Sequence, residues 1–191
     1  MYQKYHTDAI VLKSYESGES DRVFALYTHD FGLVYARATS IRSEKSKMRY
    51  ALQTCARAHV SLVKGKNGWR LAGAITLQNP IGKDTKGVGT FARIAELVVR
   101  MVGGEELNTY LFETLAEAHC VLVTTYVEST VTIEIVCAAR ILYALGYLST
   151  EALESTLFTH TAYASEHLLE AERLQKTLLT HINRAIAETQ L

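Results

Sequence analysis

The sequence predicts an α+β chain, with an N-terminal five-stranded OB-fold barrel followed by a C-terminal α-helical bundle. Three observations predict it. Apolar residues recur with a strand period over residues 6–79 and with a helical period from residue 90 onward. Turn residues punctuate the first half at short intervals. The only proline in 191 residues, Pro80, lies with three glycines in the stretch 79–89, where the period changes.

The strands follow in order. In Thr7–Tyr15 the run AIVLK suits a buried strand, and residues 22–28 (RVFALYT) form a second. Asp30-Phe31-Gly32 makes a turn into a third, 33–39. Residues 57–64 alternate, with Ala58, Val60 and Leu62 on one face and Arg57, His59 and Ser61 on the other. Gly65-Lys66-Asn67-Gly68 turns the chain into a fifth strand, 69–77, with Trp69, Leu71, Gly73, Ile75 and Leu77 expected on one face. The stretch 40–56 between strands three and four is polar and then turns weakly helical. Five short strands with a helix or loop between the third and fourth fit the OB arrangement; a plain five-stranded meander is the other arrangement the pattern allows.

The expected domains are 1–79, a linker 80–89, and a helical domain 90–191. In 90–102, Phe91, Ile94, Ala95, Val98, Met101 and Val102 make an apolar stripe. In 105–126, Leu107, Leu111, Leu115 and Leu122 form the inner face. Residues 130–145 carry only Glu134 and Arg140 as charges, which predicts a helix in the middle of the bundle, stopped by Gly146. A single long helix is expected over 161–188, with Ala164, Leu168, Ala171, Leu178 and Ile182 inside.

Composition is globular, with 48% apolar and 21% charged residues. Three scattered cysteines argue against a disulfide framework. No apolar run suits a signal peptide or a membrane span, so a cytoplasmic, nucleoid-associated protein is expected. The net charge of zero hides an asymmetry. Residues 1–87 carry fourteen basic and seven acidic residues, a balance of +7, and the remainder carries −7. Such a division points to a polyanion on the basic half.

Catalytic and metal chemistry are not expected. Gly87-x-Gly89-x-x-Ala92 has the spacing of a dinucleotide loop, but no strand precedes it. His119 and Cys120 are adjacent and cannot readily share an ion; His160, His167 and His181 are spaced too widely to chelate. Cys55 and His59 lack a third, orienting group. No cofactor, metal or catalytic residue is predicted.

The strongest constellation is Arg37, Arg42, Lys45, Lys47 and Arg49, opposed only by Glu44 and interspersed with serines. Lys64, Lys66 and Arg70 form a second basic cluster around the last hairpin. Tyr15, Tyr27, Tyr35 and Trp69 are interleaved with these cations. Clustered cations attract phosphates, and exposed aromatic faces stack on bases. Trp69 reads as core, because it shares a face with Leu71, whereas Tyr35 is retained as a binding candidate. A non-catalytic adaptor acting through the acidic helical half is the alternative.

Residues Thr7–Lys13 with Tyr15 and Glu19-Ser-Asp21 resemble the opening of the RecO family of bacterial recombination mediators. Thr28-His-Asp-Phe-Gly32, the basic run Ala38–Arg49 and Arg140-Ile-Leu-Tyr-Ala-Leu-Gly-Tyr147 resemble later parts of the same family. The resemblance implies a DNA repair and recombination protein that binds single- and double-stranded DNA and anneals complementary strands. It would assist RecA loading in the RecFOR pathway, with RecR and the acidic C-terminal tail of the single-stranded-DNA-binding protein as partners. DNA binding then carries over to Arg37, Arg42, Lys45, Lys47 and Arg49, and Arg140 becomes a candidate counter-charge for an acidic partner peptide. Many family members carry a four-cysteine zinc knuckle after the helix that here ends in Leu145-Gly146, and run well beyond 200 residues; residues 148–160 here contain no cysteine.

Overall fold

The computed structural model describes residues 3–44, 46–80, 85–124, 129–149 and 156–189. Two compact units are present: Met1–Lys83 with Gly103–Thr109, and Asp84–Val102 with Tyr110–Leu191.

The first unit is a closed five-stranded barrel in the order β1-β2-β3-β5-β4. Its strands are β1 (Lys4–Ser17), β2 (Asp21–Thr28), β3 (Gly32–Ala38), β4 (Arg57–Gly65) and β5 (Gly68–Gln78), with a one-turn helix α1 (Met48–Ala51) between β3 and β4. All pairings are antiparallel except β3 with β5, which closes the barrel in parallel. This is the OB-fold. Val11, Phe24, Leu26, Val34, Ala36, Val60, Leu62, Trp69 and Leu71 fill the interior, and each large side chain buried there contributes about 1.5–3 kcal/mol. The alternation of Ala58, Val60 and Leu62 inward holds in β4. Gly32 has φ +64°, and a Cβ there would run into the Glu106 backbone carbonyl, so this turn requires glycine twice over.

The fifth strand departs from the sequence expectation. Ser61 pairs with Gly73 but Leu62 with Leu71, so Ala72 is an extra residue. A bulge of this kind reverses the alternation beyond it. Trp69 and Leu71 point inward, Ala74 takes over on that side, and Ile75 and Leu77 are 69% and 47% exposed.

The second unit contains α2 (Thr85–Met101), α3 (Thr109–His119) continued by a π turn at Cys120–Thr124, α4 (Thr130–Ala144), a 3₁₀ turn at Thr156–Phe158, α5 (Ser165–Arg173) and α6 (Gln175–Glu188). Helix α4 is central, packed by α2, α5 and α6, with Ile133, Val136, Cys137, Ile141 and Leu142 buried. Gly146, at φ +78°, ends it. Arg93 grips Glu134 through two hydrogen bonds of 2.7 and 2.6 Å, tying α2 to α4.

Four expectations shift here. Of the predicted linker 80–89, residues 81–84 lie outside the described residues, and helix α2 already begins at Thr85. Gly87 is a packing glycine in that helix: a Cβ would overlap the Leu122 carbonyl oxygen. Leu107 precedes α3 and is 56% exposed, not inside. The expected last helix is two, α5 and α6, meeting at Leu174, and Ala164 lies exposed before the first.

Candidate nucleic-acid interface

Strand register places the predicted side chains. In β3, Val34, Ala36 and Ala38 face the core, so Tyr35 and Arg37 face out. Tyr35 lies opposite Ala25, and Arg37 opposite Val23. On the far side of β2, Lys13 lies opposite Ala25 and Tyr15 opposite Val23. Across the parallel pairing, Arg37 neighbours Arg70. Three strands, β1, β3 and β5, thus carry Lys13, Tyr15, Tyr35, Arg37 and Arg70 on one outer wall, with Val23 and Ala25 of β2 between the first two. Tyr15 and Tyr35 are 39% and 47% exposed. Burial, and then the neighbouring Tyr15, push the Tyr35 phenol up from its ordinary value. Lys13 Nζ sits 5.9 Å from the Tyr15 ring centroid.

Beside this wall, Arg37, Lys66, Arg70 and Thr39 line a cleft of about 510 Å³ with Trp69 and Asp21. Asp21 is its acidic member. It binds the Arg37 guanidinium at 2.8 Å and accepts the Ser40 backbone N–H at 2.8 Å. The Ser40 bond and then the Arg37 bond hold its carboxyl below the ordinary 3.8.

The other predicted residues fall in different places. Lys47 is exposed just before α1. Arg42 and Arg49 border a second cleft, of about 260 Å³; Arg49 also donates to its neighbour Tyr50 Oη at 2.8 Å. Lys45 lies outside the described residues. Lys64 is not on the outer wall: it sits 4.9 Å above the Trp69 ring and forms a 2.7 Å ion pair with Glu105. Trp69 is 5% exposed and packs against Tyr5 and Phe31, which is the core role the sequence indicated.

Arg140 differs most from expectation. It is fully buried, and its guanidinium donates to the carbonyls of Leu157 (2.7 Å), Thr161 (2.7 Å) and Ala162 (3.1 Å) while resting on the Tyr163 ring. Each edge of the side chain is occupied, so it clamps residues 157–162 onto α4 and is not presented to an acidic peptide.

Sequence reasoning missed Lys13 and Arg22. The signal for Arg22 was parity: it stands two residues before Phe24, on the inward-facing side of β2, where the barrel opens. Among the described residues, no group of three or more His, Cys, Asp or Glu side chains could hold a metal ion. No described helix is long and apolar enough to cross a membrane.

A family model described as "Recombination protein O N terminal" matches residues 1–78. The chain is 41% identical over 63 residues to a protein named DNA repair protein RecO from Desulfitobacterium hafniense, covering 33% of this chain and 23% of that one. To a protein of the same name from Dehalococcoides mccartyi it is 31% identical over 113 residues, 58% of this chain and 45% of the other. To one from Gloeothece citriformis it is 26% identical over 171 residues, 88% and 51% respectively. The matches therefore span about half of these curated relatives at most.

Proposed function

Because this chain belongs to the RecO family through its first 78 residues, we propose that its barrel binds DNA in repair and recombination, without itself catalysing a reaction. The observation that carries the reading is the outer wall: Lys13, Tyr15, Tyr35, Arg37 and Arg70 on β1, β3 and β5, brought to one side by the strand register. Stacking faces beside cations are what a single strand needs, because bases pair with rings and phosphates with guanidinium forks. Tyr15 and Tyr35, 39% and 47% exposed, leave ring surface open to a base. Duplex DNA would use the same cations through its phosphates alone.

Strand annealing follows from such a surface, since two complementary strands held by their backbones keep their base edges available for pairing. Assistance to RecA loading, with RecR and the acidic tail of the single-stranded-DNA-binding protein as partners, extends the family resemblance and is part of the same proposal. The site for that tail is sought elsewhere than Arg140, whose donors are already engaged.

Fluorescence anisotropy of a labelled oligothymidylate over a salt series tests the reading. Binding that weakens steeply as salt rises is expected. Absence of binding at low salt, with a stable protein complex formed instead, would favour the adaptor reading.

A further inference from the structure

We propose that Arg22, Arg42 and Arg49 form a seat for a single phosphate group at the mouth of the barrel, with Glu16 as its built-in competitor; the proposal rests on the DNA-binding reading above. The three residues come from separate segments. Arg22 is on β2, opposite Glu16 of β1 and Ala38 of β3. Arg42 follows β3, its backbone N–H donating to the Ser20 carbonyl at 3.1 Å. Arg49 belongs to α1. Together with Phe24, Ile41 and Leu52 they line the 260 Å³ cleft.

Two of the cations in this cleft, Arg22 and Arg42, are poorly served, while Arg49 shares itself with Tyr50, donating to its Oη at 2.8 Å. Glu16 approaches Arg22 Nη2 and Arg42 Nη1, each at 3.7 Å, beyond hydrogen-bond length. Its side chain is 67% exposed. The Tyr50 hydrogen bond is the chief influence on Arg49, and the Glu44 charge the least. The Arg22 Nε atom is buried and finds no acceptor among the described residues. Arg22 and Arg42 thus meet at one distant carboxylate oxygen, with Arg49 lining the same cleft, and the Arg22 Nε donor is left unspent. A tetrahedral oxyanion relieves both, because it presents several oxygens to forks arriving from different directions. A carboxylate such as Glu16 supplies only two, and from one side. The apolar floor of Phe24, Ile41 and Leu52 offers the anion no competing polar contact.

The phosphate could be an internal phosphodiester of a bound strand or a terminal phosphomonoester, and one experiment separates them. Anisotropy is measured with a 3′-labelled oligothymidylate, with and without a 5′-phosphate, over a salt series. Arg22→Gln should weaken binding about tenfold, as loss of a charge-assisted contact, and lower the salt slope by about 0.7. Glu16→Gln should tighten binding about threefold, as removal of an exposed ion pair. Glu19→Gln deletes the same charge three residues away and should have a much smaller effect. An Arg22→Gln effect confined to the 5′-phosphorylated probe identifies the terminal phosphate; an equal effect on both probes identifies the internal one. An unchanged slope in Arg22→Gln overturns the seat, and so does equal tightening by Glu16→Gln and Glu19→Gln. If Arg22→Gln fails to fold, the contrast between the two glutamate variants decides alone. Wild-type protein that binds neither probe overturns the DNA-binding reading itself, an outcome distinct from a wild type that binds while its Arg22 and Glu16 variants behave as wild type.

Discussion

Arg37 and Asp21 are joined across the barrel wall by a hydrogen bond from Nε at 2.9 Å and an ion-pair contact from Nη2 at 2.8 Å, both to the same carboxylate oxygen. The other oxygen takes the Ser40 backbone N–H at 2.8 Å, at a residue with φ +52°. One carboxylate thus restrains a cation of the proposed binding face and fixes the backbone where the basic loop departs.

The pH dependence of this link has a definite sign. The folded-state pKa of Asp21 is lowered, so its contribution to stability is present above the ordinary value of 3.8 and disappears as pH falls through the folded value. Asp21→Asn should therefore melt below wild type at neutral pH. The difference should begin to narrow as the pH is taken below about 4 and go on narrowing toward the lowered folded value. Thermal melts at pH 7, 5, 4 and 3 check this; a gap that does not narrow between pH 5 and pH 3 would show that Asp21 acts through something other than its charge.

The outer wall predicts two kinds of variant. Tyr35→Ala should weaken single-strand binding by about 1–3 kcal/mol with the salt slope unchanged, as loss of a stacking face does. Arg37→Gln and Arg70→Gln should each reduce the slope by about 0.7. Lys64→Gln should do neither, because Lys64 lies off the outer wall, over Trp69 and against Glu105. Anisotropy titrations at four salt concentrations sort the four variants.

Arg140 should prove a stability residue. Arg140→Met leaves three carbonyls in the interior without donors and should cost about 3–5 kcal/mol in urea denaturation, the range for breaking a buried charged network. Arg140→Lys should rescue little, since one ammonium cannot reproduce a planar fork reaching Leu157, Thr161 and Ala162.

Two glycines of one helix should respond oppositely. Gly87→Ala drives a methyl into the Leu122 carbonyl, a backbone atom that cannot swing aside, and should destabilise by about 1–3 kcal/mol. Gly89→Ala meets nothing within 4 Å. It should stabilise by about 0.5–1 kcal/mol through helix propensity. Urea midpoints of the two variants provide the comparison.

The barrel was legible wherever alternation ran undisturbed. Ala58, Val60 and Leu62 announce an inward face, and Gly32 and Gly68 mark real turns with positive φ. Beyond Ala72 the reading failed, because a bulge adds a residue without leaving any composition signature. Ile75 and Leu77 were consequently placed inside when they are exposed. The break at Leu174 was illegible for a similar reason, having neither glycine nor proline to mark it. The basic residues were found as a set, but their partners were not. Asp21, Glu16 and Glu105 are remote in sequence or unremarkable within it, and only the fold reveals which cations they engage. Arg140 looked available because it is a lone charge, yet its partners are backbone carbonyls, which no side-chain pattern encodes.

The segment Gly103–Thr109 carries a consequence for how the chain acquires its structure. Glu105 pairs with Lys64 across 41 residues, and Glu106 lies against the turn at Gly32. As the chain emerges from a ribosome, all five strands are available once Gln78 has appeared, but the barrel's last pieces arrive only after the whole of α2 has been made. A nascent barrel therefore passes through a stage in which the Gly32 turn and Lys64 await their partners. Release of a fragment ending near residue 80 would freeze it there, whereas one ending at Thr109 would contain every residue of the first unit.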